Sequence, residues 1–101
     1  MLKKIILLAT FTSILLSSDI DGKKVFETYC WGCHHQTAVA FGPPFSEIAN
    51  KRSSDEIKAY ILEPKAMYKA FGYKRTVMTQ LELNDQEIES ITDYILSYKG
   101  K

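Results

Sequence analysis

Apolar residues near the C-terminus recur at the spacing of one helix face. Ile88, Ile91 and Ile95 lie at positions i, i+3 and i+7, which places all three on one side of an α-helix. Asn84 precedes this run, and Glu87 stands three residues after Asn84, which is the spacing of a capping box. The pattern predicts an amphipathic C-terminal helix that begins just after Asn84.

A second helix is predicted in the middle of the chain. Ser53 and Glu56 have the spacing of another capping box. Ile57 and Ile61 follow on one face, and Pro64 disfavours helical backbone at the residue before it. The helix is therefore expected to end near that proline.

A third helix is predicted over residues 21–29, with Asp19 or Asp21 as its cap. Gly22 and Phe26 lie one turn apart on the same face. A residue without a side chain on an apolar face indicates that another helix crosses closely at Gly22. Simple fraying at the start of the helix is the alternative.

The connections between these helices are long. Residues 42–44, Gly-Pro-Pro, exclude helix and central strand at that point. Residues 65–83 are predicted to form a loop, with a short helical turn around residues 66–71. Because three helices are joined by long connections without a hairpin signal, the sequence predicts an all-α domain.

The first residues have the pattern of a secretory signal peptide. Lys3 and Lys4 give a basic start, residues 5–16 are almost wholly apolar, and polar sequence begins at Asp19. We expect residues 1–18 to be removed on export to the periplasm. An uncleaved N-terminal anchor is the alternative, because a leucine stands where the cleavage site prefers a small residue.

The chain has 101 residues, and residues 19–101 are expected to form one small domain. Without Lys3 and Lys4 the chain carries 11 basic and 12 acidic residues. This balance argues against a nucleic-acid-binding protein. A core built from so few side chains is marginal, so the domain is expected to need an additional stabilising element.

The stretch Cys30–His34 has the pattern C-x-x-C-H, which is the covalent attachment sequence of c-type haem. Cys30 and Cys33 lie about one helical turn apart, so both thiols can bond to vinyl groups along one edge of a porphyrin. His34 then offers an imidazole nitrogen to iron. A redox-active dithiol or half of a zinc site are alternatives, but no third cysteine exists and His35 adjoins His34.

The second axial position of such an iron decides its chemistry. Met78 is the favoured ligand, because it lies in a loop just ahead of the last helix, whereas the lysines beside Met67 suggest exposure. His35 begins on the same side of the ring as His34 and cannot serve. An open sixth position would instead allow binding of diatomic ligands or peroxide chemistry.

These motifs resemble the class I monohaem cytochromes c, especially the small bacterial c553-type proteins, over essentially all of residues 19–97. The likeness rests on short stretches in chain order: Gly22–Phe26, Cys30–His34, Gly42-Pro43, Val77–Thr79, Leu83–Ile88 and Tyr94-Ile95. Many members of the family carry proline after the ligand methionine, where this chain has Thr79. Members with Met-Thr also occur.

The resemblance implies a cytochrome c fold, with three main helices and loops wrapped around one haem c held by two thioethers. It implies that the carbonyl of Pro43 accepts a hydrogen bond from His34, and that Gly22 and Phe26 pack against Ile91 and Tyr94. The implied function is a periplasmic one-electron carrier, not an enzyme, that shuttles electrons in a respiratory chain. We expect a monomer that meets its redox partners transiently, with membrane attachment only if the N-terminal segment is retained.

Two other functions stay open at this point. The domain could be a haem enzyme or ligand sensor with a labile sixth ligand, or the anchored haem subunit of a larger oxidoreductase.

Charge is unevenly distributed along the chain. Residues 51–75 carry seven basic and three acidic residues, whereas residues 82–93 carry five acidic and no basic residues. Either these are two ordinary solvated faces, or a basic group steers an acidic partner. That group consists of Lys65, Lys69, Lys74 and Arg75.

Overall fold

The structure, a computed structural model, describes residues 21–101. The elements in this range are α1 (Gly22–Val25), a π-helical segment (Phe26–Cys30), α2 (Phe45–Lys51), α3 (Ser54–Leu62), α4 (Pro64–Met67) and α5 (Asp85–Leu96). They include no strand, and none of these helices is long and apolar enough to cross a membrane. The all-α prediction is confirmed, whereas the predicted signal segment 1–18 and the candidate cap Asp19 lie outside the described residues.

Both predicted capping boxes are present. The side chain of Asn84 accepts a hydrogen bond from the Glu87 amide at 2.8 Å, and the Glu87 carboxylate accepts one from the Asn84 amide at 3.0 Å. Ser53 and Glu56 make the same reciprocal pair at the start of α3. These contacts satisfy amide groups that have no partner inside the helix, and so they fix where α3 and α5 begin.

The N-terminal helix departs from the predicted regular α-helix. Asp21, one of the two expected caps, caps α1: its side chain accepts a hydrogen bond from the Lys23 amide at 3.0 Å. From Phe26 onward the backbone follows a π-helical path, and the Trp31 amide donates to the Phe26 carbonyl at 2.9 Å. This i→i+5 bond widens the turn that leads into Cys30.

Two prolines mark helix starts that the sequence pattern did not define. Pro44 is the cap of α2, a helix of seven residues that was not predicted. Pro64 follows the end of α3 as expected, but it also occupies the first turn of α4. A proline is tolerated there because the amide it lacks would have no partner within the helix.

The first and last helices cross at Gly22. A Cβ atom added at Gly22 would collide with the carbonyl oxygen of Ser90 and lie 2.7 Å from Cβ of Tyr94. One turn further on, the Phe26 and Tyr94 rings pack with centroids 5.7 Å apart. The close-crossing interpretation of Gly22 is confirmed, and fraying does not explain this glycine.

The core lies between α1, the π-helical segment, α2, α3 and α5. Its buried apolar side chains are Val25, Phe26, Phe45, Ala49, Ile57, Ile61, Ile88, Ile91 and Ile95. Cys30 and Met78 are partly buried and pack against this cluster. Two residues of the predicted site are therefore supported by the same core.

Candidate functional site

The two cysteines lie at the end of the π-helical segment and in the turn that follows. Cys30 is partly buried and Cys33 is exposed, and neither is in a disulfide. The amides of Cys33 and His34 both donate to the Cys30 carbonyl, at 3.1 and 2.9 Å, which makes the motif one tight turn. Burial, with the nearby Cys33 adding to it, raises the pKa of the Cys30 thiol to about 11. Cys30 is thus a neutral thiol at neutral pH.

His34 is oriented by the hydrogen bond that the resemblance implies. Its Nδ1 lies 2.8 Å from the carbonyl oxygen of Pro43. Because a carbonyl oxygen can only accept, Nδ1 carries the proton in this contact. Nε2 is then the ring nitrogen that can bind a metal, which is the arrangement that metal-bound histidines use.

Gly42 also lies close to that ring. A Cβ atom at Gly42 would collide with Cε1 of His34 and lie 2.8 and 2.9 Å from its two ring nitrogens. The Gly42 amide also donates to the Cys33 carbonyl at 2.7 Å, which closes the loop over the motif. The sequence marked Gly42 as a helix breaker and as part of the Gly42-Pro43 stretch of the family resemblance, but it did not predict that this glycine packs against the His34 ring.

Phe45 supports His34 from the core side. It is 1% exposed, and its ring centroid lies 5.6 Å from that of His34. Phe26 packs edge-on against Phe45 at 5.2 Å, so the ring that supports the imidazole is itself held in the core. His34 is therefore held by the Pro43 carbonyl, the Gly42 backbone and Phe45 together.

The two candidate methionines have different surroundings. Met78 lies in the loop before α5 and packs against the core, and its amide donates to the hydroxyl oxygen of Thr76 at 3.2 Å. Met67 ends α4 and is not among the side chains that pack against the core within residues 21–101. The contacts thus distinguish Met78, which packs against the core, from Met67, which belongs to α4.

These residues fit a covalently attached haem. Two free thiols stand one turn apart, the adjacent imidazole keeps Nε2 available, and a thioether packs on the same core as Cys30. An all-α fold built around such a motif defines a haem-carrying protein. The family model described as cytochrome c matches residues 20–99, and the chain belongs to that family.

Membership of the cytochrome c family makes the protein a haem electron carrier in general terms, and the family implies covalently bound haem c. Comparison with curated proteins and with solved structures gave no match.

Proposed function

We propose that the protein is a periplasmic one-electron carrier whose haem iron has His34 and Met78 as axial ligands. The observation that carries the proposal is the 2.8 Å contact between Nδ1 of His34 and the Pro43 carbonyl. Donation from Nδ1 to this carbonyl leaves Nε2 as the ring nitrogen that can bind iron.

Haem c, when bound, supplies an iron that exchanges one electron reversibly. The thiols of Cys30 and Cys33 tether the group, and the supports around His34 hold the imidazole in one orientation. A rigid ligand set keeps the geometry similar in both oxidation states. Electron exchange then needs little rearrangement of the protein.

Met78 is the better sixth ligand because its loop is anchored on the core and Met67 belongs to another element. With His34 and Met78 holding the iron, the thioether would stabilise the ferrous form and raise the reduction potential. It also occupies the position that a substrate or diatomic ligand would need. The absence of turnover in the proposed function follows from that occupancy.

Carbon monoxide tests this function directly. The reduced holoprotein should bind carbon monoxide slowly and weakly, because Met78 must leave before the gas can bind. Rapid binding, together with a high-spin spectrum of the oxidised protein, would support the haem enzyme or ligand sensor instead.

Export to the periplasm is part of the proposal, because covalent haem attachment takes place outside the cytoplasm. The supporting feature is the basic start and apolar run of residues 1–18. Mass spectrometry of holoprotein from a periplasmic fraction should show a chain that begins near Asp19. A full-length chain found in membranes would support the anchored-subunit alternative.

The proposed partner is an acidic redox protein that binds the monomeric carrier transiently. Lys65, Lys69, Lys74 and Arg75 are exposed, and none forms an ion pair with another described residue. The other basic side chains of residues 51–75 are engaged: Lys51 with Glu47, Lys58 with Glu89, and Arg52 with the Phe71 carbonyl. Unpaired positive charge on one segment attracts an oppositely charged partner, and this attraction weakens as the salt concentration rises.

A further inference from the structure

The loop that carries Met78 has little backbone support of its own. Residues 74–83 make no backbone–backbone hydrogen bond with any part of the chain that the structure describes. The loop must therefore be held by side chains. Two of them, Arg52 and Tyr60, come from the neighbouring helical region.

Arg52 is the C-cap residue of α2 and reaches across to the turn just ahead of this loop. Its Nη2 donates to the Phe71 carbonyl at 2.8 Å, and its guanidinium carbon lies 4.3 Å above the Phe71 ring. The Tyr73 ring is 5.8 Å from the same carbon. A planar guanidinium can stack and donate at the same time, which a lysine ammonium cannot do.

Tyr60 of α3 extends this contact to the methionine. Its ring lies 5.3 Å from that of Phe71 and 5.8 Å, edge-on, from that of Tyr73. Its hydroxyl donates to Thr76 at 3.1 Å, and the same Thr76 oxygen accepts from the Met78 amide at 3.2 Å. The contacts are continuous from Arg52 to the backbone of Met78.

Stability alone does not account for a cation in this position. Arg52 pairs with no carboxylate among residues 21–101, and its Nε is buried without a hydrogen-bond partner there. A buried donor without a partner is costly, and an apolar side chain of similar size would avoid that cost. The compensating gain is the fixed position of Phe71, and through it that of the loop.

We infer that Arg52 is a positioning residue for Met78, which holds the loop so that the thioether stays within reach of the iron. This inference rests on the proposed function, in which Met78 is the sixth ligand. A loosened loop would release Met78 more often. Any external ligand that competes with Met78 would then bind with a higher apparent affinity.

Imidazole titration of the oxidised holoprotein measures this release. Loss of the near-infrared sulfur-to-iron band would be followed at fixed pH in wild type, Arg52→Met, Arg52→Lys and Arg75→Met. Arg52→Met should bind imidazole about tenfold more tightly than wild type, because one charge-assisted hydrogen bond is lost. Arg52→Lys keeps the charge without the planar group, so its imidazole affinity should lie between those of wild type and Arg52→Met. Arg75→Met, which removes an exposed charge from the same loop, should match wild type.

The outcomes separate the two proposals. If Met78→Ala keeps the near-infrared band, the ligand assignment is wrong and the role of Arg52 falls with it. If Met78→Ala loses the band but Arg52→Met binds imidazole like wild type, only the role of Arg52 is overturned, even if its melting temperature is lower. Should Arg52→Met yield no holoprotein, Phe71→Leu removes the ring beneath the guanidinium and takes its place in the imidazole titration. Tighter imidazole binding than wild type would then support the role of Arg52, and wild-type binding would overturn it.

Discussion

Replacing Gly42 by alanine would place a methyl group where the His34 ring now lies. The new Cβ would collide with Cε1 and lie 2.8 Å from Nδ1 of that ring. The imidazole also packs against Phe45, which is itself fixed in the core. The ring must therefore move away from residue 42, and the hydrogen bond to Pro43 is lost or lengthened.

The expected cost follows from two contributions. Forcing a methyl group into a packed site costs about 1–3 kcal/mol. Loss of the His34–Pro43 hydrogen bond adds about 0.5–1.5 kcal/mol. We expect Gly42→Ala to lower the free energy of unfolding of the holoprotein by about 2–4 kcal/mol. In a domain of this size the melting temperature should fall by about 8 °C or more.

Gly32→Ala is the matched control. Gly32 lies within the Cys30–His34 motif, but a Cβ atom there meets nothing within 4 Å. Positive φ angles among the glycines of residues 21–101 occur at Gly72 and Gly100, so neither substitution adds backbone strain. Thermal and guanidinium unfolding should leave Gly32→Ala within about 1 kcal/mol of wild type. Equal stabilities of the two variants would refute the close contact between residue 42 and His34.

Two further predictions concern the helix crossing and the basic segment. Gly22→Ala should lower the free energy of unfolding by about 1–3 kcal/mol, because its methyl group would meet the Ser90 carbonyl of α5. Guanidinium titration measures this free energy, and an unchanged midpoint would contradict the tight crossing. Charge reversal of Lys65 and Lys69 should slow electron transfer to ferricyanide, an anionic oxidant, at low salt but not at high salt, in stopped-flow measurements. Lys99→Glu reverses one exposed charge elsewhere, and an effect about half as large in that variant would mean that net charge alone sets the rate.

The parts of the fold that depend on neighbouring residues in sequence could be predicted. The Ser53–Glu56 and Asn84–Glu87 capping boxes need only a three-residue spacing, and both form. Gly22 was also informative, because a glycine on an otherwise apolar face has few explanations besides a close crossing.

The parts that depend on the assembled fold could not be predicted in the same way. The helix α2 is only seven residues long, and it is stabilised by burying Phe45 and Ala49 rather than by a long repeat. The role of Gly42 depends on where the His34 ring lies. Arg52 reaches a carbonyl 19 residues away, and no local pattern shows that contact.

The ligand set is the central claim, and near-infrared absorption of the oxidised holoprotein tests it most directly. Wild type, Met78→Ala and Met67→Ala would be purified after periplasmic expression and compared at the same pH. Ligation by His34 and Met78 predicts a weak sulfur-to-iron band that is lost in Met78→Ala and kept in Met67→Ala. A band that survives Met78→Ala, or a wild-type protein that lacks the band and is high-spin, would contradict the proposed electron carrier with these two ligands.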